Sequence, residues 1–180
     1  IAVITGGAGK IGSAVAKKFL NENIEVVLFD KNFSNIDKEI KNKCTCIKCD
    51  LSNREQVKQS INKVVRKFGG IDILISNSGL AFQGQMKDLD ETILQTSMAN
   101  NFYSHHYIIQ ETVKIMINQS FGGSISINLS KQSINPGNNF GPYGIAKASA
   151  LFMMKQYALE CGKHNIRVNG VNADRIQSGL

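Results

Sequence analysis

The sequence contains no tryptophan, and no uninterrupted apolar run reaches the ~18 residues that a membrane-spanning helix needs. Its first residues also lack the charged and then apolar pattern of a secretory leader, so we expect neither secretion nor a membrane partner. Hydrophobic residues make up 42% of the chain and charged residues 19%. That composition is typical of a globular protein and excludes a disordered or fibrous one.

Acidic residues are fewer than basic ones, 14 against 21, which leaves a net charge of +7. Such an excess indicates a nucleic-acid partner only where the positive side chains form one cluster. Here the lysines, Lys17, Lys38 and Lys58 among them, are spread over several predicted helices and are mixed with glutamate and asparagine. We therefore expect a solvated, lysine-rich surface and no nucleic-acid partner.

Cysteines are few as well, at positions 44, 46, 49 and 161. Side chains alternate along a strand, so Cys44 and Cys46 would face one side and Cys49 the other. The C-x-x-C spacing does not recur, and we therefore predict no metal site. Unpaired thiols fit a reducing compartment, so we predict a cytoplasmic localisation.

Strand-like and helix-like segments alternate from the first residue onward. The predicted strands are IAVIT, IEVVLFD, CTCIKCD, IDILISN, GGSISINLS and IRVNGVNA. The longest predicted helices cover about 90–119 and about 142–164, and Ser52 and Glu55 have the spacing of a capping box before a further helix. This alternation predicts the α/β class, with a Rossmann-like, doubly wound parallel β-sheet and helices on both faces.

The segment TGGAGKIG lies between the first predicted strand and the first predicted helix. Its Gly7, Gly9 and Gly12 fit the pattern G-x-G-x-x-G, in which glycine permits a tight turn and a close approach of a pyrophosphate to the backbone. The free N–H groups at the helix start then face the phosphates. This context predicts a dinucleotide site.

Asp30 ends the second predicted strand, eighteen residues after Gly12. An acid at this place accepts hydrogen bonds from a ribose 2′-OH and repels a 2′-phosphate, which favours NAD over NADP. Lys31 beside it and Lys10 in the glycine loop would partly offset that repulsion, so NADP stays possible.

Several motifs in register resemble the short-chain dehydrogenase/reductase family, across essentially the whole chain. They are TGGAGKIG, CDLS, GGIDILISNSG, NFYS, and GGSISINLS followed by YGIAK. The sequence departs from the family pattern at Lys10, which replaces a glycine, at SNSG in place of NNAG, and at Ala173-Asp174 in place of Pro-Gly. With Lys10 in the loop, Gly6, Gly9 and Gly12 fit the family's alternative TGxxGxxG form.

The resemblance implies a set of cofactor-binding residues, with the last two beyond the altered turn. They are Gly6, Gly7, Gly9, Lys10, Ile11, Gly12, Asp30, Lys31, Asp50, Leu51, Asn77, Gly79, Tyr143, Lys147, Ile176 and Ser178. It implies four catalytic residues, Ser130, Tyr143, Lys147 and Asn101. Asn101 would hold a water that links Lys147 to solvent, with Asn100 as its rival by one position.

Tyr143 and Lys147 are spaced i and i+4, so they share one face of a helix. Reduction of a carbonyl needs an acid that protonates the forming alkoxide, and an ammonium beside a phenol favours the phenolate and lowers its pKa. A serine hydroxyl would stabilise the substrate oxygen. Ser130 lies thirteen residues before Tyr143, the family's usual interval, whereas Ser133 lies ten before it and stays open as an alternative.

His105 and His106 are neighbours and lie about 100° apart around a helix, so they cannot readily bind one metal ion. We interpret both as surface or interface residues. The resemblance also implies a homo-oligomer, a dimer or tetramer formed through the two long helices.

The sequence therefore predicts an NAD(P)-dependent oxidoreductase that moves a hydride between nicotinamide and the carbonyl or alcohol carbon of a small substrate. The alternative is a non-catalytic dinucleotide-binding or sensor domain. The segments SKQSINPGNNFGPYGIAKA and RVNGVNADRIQSGL more narrowly resemble the dehydrogenase half of bifunctional aldolase/short-chain dehydrogenases of the rhamnulose-phosphate type. That resemblance implies a sugar- or hydroxyaldehyde-like substrate and an aldolase domain before Ile1.

The ends of the chain support one further expectation. IAVIT reads as a strand already in progress, and DRIQSGL contains no closing strand. We predict that residues 1–180 form a single NAD(P)-binding domain that lacks the C-terminal strand of its fold, and that they are a piece of a longer polypeptide.

Overall fold

The computed structural model describes residues 1–174, which form a six-stranded parallel sheet. The strands are β1 (Ala2–Thr5), β2 (Val26–Asp30), β3 (Thr45–Lys48), β4 (Ile73–Ser76), β5 (Gly123–Asn128) and β6 (Ile166–Val171). Their order across the sheet is β3-β2-β1-β4-β5-β6. The chain thus moves outward from β1 in one direction and then returns to continue in the other, so the predicted α/β, doubly wound class is confirmed.

Six α-helices connect these strands within the described residues. They are α1 (Lys10–Asn21), α2 (Lys38–Lys43), α3 (Arg54–Phe68), α4 (Glu91–Met98), α5 (Ser104–Gln119) and α6 (Gly141–Cys161). Short 3₁₀ turns occur at Met86–Asp88, Lys131–Ser133 and Gly162–His164. None of the helices in residues 1–174 is long and apolar enough to cross a membrane.

The sheet has a buried apolar layer on each face, because alternate residues of a strand point to opposite sides. Val3 belongs to the larger layer, which is formed with α3, α5 and α6. Its neighbour Ile4 belongs to the smaller layer, which is formed with α1 and α2. β1 is buried throughout and pairs with β2 on one side and β4 on the other. The predicted arrangement of helices on both faces follows from this alternation.

Two local predictions need correction. The cap of α3 is Asn53, whose side chain accepts the Gln56 N–H at 3.1 Å. Ser52 does not cap the helix, because its hydroxyl instead donates to the Asp50 carboxylate at 2.6 Å. The long helix predicted over about 90–119 is interrupted by a π-helical turn at Ala99–Tyr103. Such turns insert one residue and are frequent at functional sites.

The packing of the glycine turn against α1 can be tested with one methyl group. A Cβ on Gly12 would lie 2.2 Å from the Gly6 carbonyl oxygen and 2.8 Å from the Gly7 Cα. We expect Gly12→Ala to lower the free energy of unfolding by ~2 kcal/mol or more, because backbone has to move.

Gly162→Ala is the matched control, since a Cβ at Gly162 meets no atom within 4 Å and its φ of −56° suits alanine. Urea denaturation of both variants measures the difference. Equal stability of the two variants would contradict this description of the turn.

Candidate active site

The turn between β1 and α1 presents backbone N–H groups at the start of a helix. Gly6 has a φ of +63°, which glycine adopts readily, and its carbonyl accepts the Gly9 N–H at 3.1 Å. No side chain caps α1 at Gly9, and its first turn contains no acidic residue. An anion therefore fits this helix start. Gly7 serves the packing instead, because a Cβ there would lie 2.7 Å from the Leu28 Cβ.

A cavity of about 560 Å³ extends from this turn along the carboxyl ends of the strands. Eleven of the predicted cofactor-binding residues line it, namely Gly6, Gly9, Lys10, Ile11, Asp30, Lys31, Leu51, Asn77, Gly79, Tyr143 and Lys147. Gly7, Gly12, Asp50, Asn101 and Ser130 lie outside its lining. Ile176 and Ser178 lie outside the described residues.

At one end of the cavity, the carboxylate of Asp30 is held by the backbone. It accepts the Ala8 N–H at 3.0 Å and the Asn32 N–H at 3.2 Å. Lys31 forms an ion pair with Asp50 at 3.0 Å. Partial burial raises the pKa of Asp50, but hydrogen bonds from Ser52 and Lys31 outweigh this effect and hold the pKa below its usual value. The charge of Lys31 is thus already compensated by Asp50.

Asn77 joins the ends of three strands beneath the middle of the cavity. Its backbone N–H donates to the Thr5 hydroxyl at 2.8 Å, and its side-chain amide donates to the Thr5 carbonyl at 3.1 Å. Its side-chain oxygen accepts from the Asn128 amide at 2.9 Å. Asn128 also lines the cavity, and sequence reasoning missed it although it ends a predicted strand.

At the other end of the cavity, the structure brings Ser130 to Tyr143. Burial raises the pKa of Tyr143, and a hydrogen bond with Ser130 acts in the opposite direction. The hydroxyl of Ser133 is engaged elsewhere, since it donates to the Ser130 carbonyl at 2.6 Å and lies 3.1 Å from the Asn172 side-chain oxygen. Of the two candidate serines, Ser130 is therefore the one beside the phenol.

Lys147 is buried directly behind Tyr143, with 2% of its surface exposed. Its Nζ donates to the Asn128 carbonyl at 2.8 Å and lies 5.7 Å from the centroid of the Tyr143 ring. Burial lowers the pKa of Lys147 to about 8. The predicted lowering of the Tyr143 pKa is wrong for this geometry, because loss of hydration outweighs the opposing effect and the pKa is raised.

The side chain of Asn101 is buried in the π turn and secures the loop after β4. Its oxygen accepts the Leu80 N–H at 3.0 Å, and its amide donates to the Leu80 carbonyl at 2.8 Å. A Cβ on Gly79 would lie 2.9 Å from the Asn101 oxygen and 3.5 Å from the Lys147 Nζ. Asn100, the alternative to Asn101 in the sequence analysis, lines the cavity, and its side-chain amide donates to the Thr96 carbonyl at 2.9 Å.

Comparison with known proteins agrees with this geometry. Residues 1–180, the whole chain, match the family described as short chain dehydrogenase. The chain belongs to that family. Its members are oxidoreductases that use NAD or NADP, and the expected class of enzyme is confirmed at this level.

Individual relatives cover the chain almost completely. It is 34% identical over 190 residues to the uncharacterized oxidoreductase YuxG of Bacillus subtilis, covering 99% of this chain and 27% of that protein. It is 31% identical over 176 residues to short-chain dehydrogenase reductase 3a of Arabidopsis thaliana, covering 95% and 68%. The crystal structure of NAD⁺-bound xylitol dehydrogenase superposes with a TM-score of 0.92 at 25% identity, covering 99% and 71%. The chain thus spans only about a quarter of YuxG.

The interpretation of His105 as a surface or interface residue is wrong. Its side chain is 1% exposed, because α5 turns this residue toward β4 rather than toward solvent. Its Nδ1 lies 2.6 Å from the Ser76 hydroxyl and its Nε2 lies 3.3 Å from the Lys147 Nζ. Burial, and then the charge of Lys147, keep the pKa of His105 well below its usual value. The signal available in the sequence was the spacing of four from Asn101, which places both on one helix face.

The Ala173-Asp174 turn, one of the departures from the family pattern, contacts Lys131. Lys131 forms an ion pair with Asp174 at 3.0 Å, and its N–H donates to the Ala173 carbonyl at 2.9 Å. Both charged side chains are about half exposed, so the pair contributes at most ~1 kcal/mol. This ion pair connects the segment after β5 to the turn after β6.

Within residues 1–174 no group of three histidine, cysteine or acidic side chains has the geometry to hold a metal ion. Cys44 and Cys46 are partly buried, whereas Cys49 is fully buried on the other face. Burial raises the pKa of Cys44 to about 11, which keeps its thiol protonated near neutral pH.

The buried ammonium of Lys147 predicts a pH dependence of stability. Its pKa falls from 10.5 to about 8 on folding, so between these values the unfolded chain binds more protons. Below about pH 8, burial of the charged ammonium lowers the free energy of unfolding. This loss is recovered as the pH rises toward 10.5. We expect the free energy of unfolding of the wild type, relative to Lys147→Met, to rise by up to ~3 kcal/mol across this interval.

Urea denaturation at several pH values measures this difference. Lys155→Met, which removes an exposed lysine from the same helix, controls for the loss of a lysine in general. A difference between wild type and Lys147→Met that does not change with pH would contradict the burial of a charged Lys147.

Proposed function

We propose that this protein is an NAD-preferring oxidoreductase acting on the carbonyl or alcohol carbon of a small, sugar- or hydroxyaldehyde-like substrate. The observation that carries the proposal is the pair Tyr143 and Lys147, which lines one end of a cavity whose other end contains Asp30, with Ser130 hydrogen-bonded to Tyr143 beside that lining. Family membership supports the same class of reaction.

The residues present fit a dinucleotide. The uncapped start of α1 and the close approach of Gly12 to Gly6 leave the backbone open to a pyrophosphate. Gly6, Gly9, Lys10 and Ile11 would hold the phosphates. The adenosine ribose would contact Asp30, with the nearby Asp50 and Leu51 on the adenine side. Asn77, Gly79, Tyr143 and Lys147 would hold the nicotinamide half, together with Ile176 and Ser178.

A preference for NAD is supported by charge. The carboxylate of Asp30 disfavours a second phosphate on the ribose, and Lys31 is already paired with Asp50 at 3.0 Å. Lys31 is thus less available to a 2′-phosphate than its position in the sequence suggested. The similar xylitol dehydrogenase is described as NAD⁺-bound.

The nicotinamide cofactor, when bound, supplies or accepts the hydride. On the oxygen of the substrate, Tyr143 donates a proton during reduction and takes it back during oxidation. Ser130 hydrogen-bonds to the same oxygen and stabilises the charge that develops there. Lys147 places its ammonium behind the phenol, 5.7 Å from the ring centroid, where a positive charge only partly offsets the burial that raises the pKa of Tyr143. Asn101 supports the loop beside this lysine.

A non-catalytic sensor is not favoured by the comparisons, and it has no need of a buried lysine behind a tyrosine. The sugar-like substrate is supported by the segments Ser130–Ala148 and Arg167–Leu180, which resemble the dehydrogenase half of bifunctional aldolases, and by the similarity to xylitol dehydrogenase. Because YuxG is much longer than this chain, we also propose that residues 1–180 are one domain of a longer polypeptide with an aldolase part.

We further propose a homo-oligomer formed through α5 and α6. Phe152 and Leu159 on α6 expose 71% and 77% of their surfaces, and seven residues of separation place both on one face of the helix, where a partner could cover them. A cytoplasmic location is proposed on the basis of the free cysteines.

The central test is Tyr143→Phe in the full-length protein. We expect turnover of small carbonyls with NADH to fall by at least ~10³-fold, because the proton donor is removed, while NAD affinity stays within ~3-fold. Turnover is measured by nicotinamide absorbance and affinity by calorimetry.

Tyr157→Phe is the matched control, since this tyrosine lies on the same helix and its hydroxyl contacts His106 at 3.1 Å outside the cavity. Turnover in Tyr143→Phe equal to that of the control would contradict the assignment of Tyr143 as the acid/base.

A further inference from the structure

His105 is a buried histidine to which none of the recognised motifs assigns a part. It is 1% exposed and lies on α5, one helical turn after Asn101. Its two ring nitrogens contact two different polar groups. Nδ1 lies 2.6 Å from the hydroxyl of Ser76 at the end of β4, and Nε2 lies 3.3 Å from the ammonium of Lys147 on α6. The imidazole therefore bridges the sheet and the helix that contains the catalytic candidates.

The contacts assign the protons on this histidine. A lysine ammonium has three N–H donors and no acceptor, so Nε2 must accept from Lys147. The neutral imidazole then bears its proton on Nδ1 and donates it to the Ser76 oxygen. A second N–H of Lys147 goes to the Asn128 carbonyl at 2.8 Å. Two of the three donors are thus engaged by fixed protein acceptors, which fixes the direction of the ammonium.

Ser76 occupies the first position of SNSG, where the family motif NNAG has asparagine. Its short side chain lets the imidazole approach within 2.6 Å. Ser76 is itself fully buried, and within residues 1–174 its hydroxyl has no partner other than His105. The chain Lys147–His105–Ser76 therefore ends inside the protein. It orients Lys147 and does not conduct protons to solvent.

We propose that His105 is a positioning residue for the reaction, a neutral acceptor that holds the Lys147 ammonium in place while Ser76 fixes its tautomer. The proposal rests on the proposed function in so far as Lys147 acts on Tyr143. The state of Lys147 itself can be measured without any reaction, so the two proposals fail separately.

Few charges act on this pair. Among the described residues, the charged group that acts on His105 is Lys147, and the titratable groups beside Lys147 are His105 and Tyr143. The pKa of His105 is well below its usual value because of burial and then the charge of Lys147. His105 therefore stays a neutral acceptor near neutral pH, where Lys147 is charged.

The test measures the pKa of Lys147 by NMR of isotopically labelled lysine side chains, with Lys147→Met identifying its signal. His105→Leu replaces the imidazole with an apolar side chain of similar size and so removes the Nε2 acceptor. We expect this variant to lower the Lys147 pKa by about one unit. His105→Gln places an amide oxygen where Nε2 was, and we expect it to restore the wild-type value. His106→Leu removes the adjacent histidine, which contacts Tyr157 instead, and should leave the Lys147 pKa unchanged.

Kinetics of the full-length protein provide the second readout. In His105→Leu we expect kcat to fall about tenfold or more, with KM and NAD affinity nearly unchanged and the pH profile of kcat shifted in the direction of the Lys147 pKa. His105→Gln should recover most of kcat. A loss of folding alone would not produce a pH shift that the amide reverses.

A Lys147 pKa that is unchanged in His105→Leu, or that falls equally in His105→Gln, would overturn the proposal. Should His105→Leu not fold, His105→Asn replaces it, because the shorter amide can still reach toward Ser76 but is withdrawn from Lys147. If the wild type reduces no carbonyl, the proposed function fails while the NMR result still decides the part of His105.

Discussion

The burial of one ammonium group, that of Lys147, constrains most of the candidate active site. A charged side chain removed from water is costly unless its donors are satisfied. Here the Asn128 carbonyl accepts one hydrogen bond and His105 lies within reach of a second. The first partner is available only where β5 ends, and the second only because α5 packs on β4. The environment of the Lys147 Nζ therefore depends both on the position at which β5 ends and on the packing of α5, and the candidate chemistry depends on this nitrogen atom.

The same edge of the sheet organises the rest of the cavity. The strand order reverses between β1 and β4, and ligands of such sheets bind at the carboxyl ends beside this reversal. Asn77 connects the two halves at that point, through Thr5 on β1 and Asn128 on β5. The two halves of the sheet, with Asp30 at one end of the cavity and Tyr143 at the other, are thus joined by backbone and amide hydrogen bonds.

The strands and most of the cavity could be predicted from the sequence because their signals are local. Alternation of apolar residues, the glycine turn and the spacing of Tyr143 and Lys147 are each contained in a few neighbouring positions. What escaped prediction depends on side-chain contacts and burial that local patterns do not specify. His105 is buried by contacts with Ser76, 29 residues before it, and with Lys147, 42 residues after it. Asn53 caps α3 in place of Ser52, because the Ser52 hydroxyl donates to the Asp50 carboxylate. The pKa of Tyr143 depends on the burial of its side chain, which the spacing of Tyr143 and Lys147 does not reveal.

The claim that this protein is a hydride-transferring enzyme is tested most directly by an isotope label. The full-length protein is incubated with NADH that contains deuterium at both positions of the reactive nicotinamide carbon and with a panel of small ketones, hydroxyaldehydes and sugars, and the products are analysed by mass spectrometry. The account predicts an alcohol that contains one deuterium on the former carbonyl carbon. Tight binding of NADH without deuterium in any product would contradict it and would favour a domain that only binds the dinucleotide.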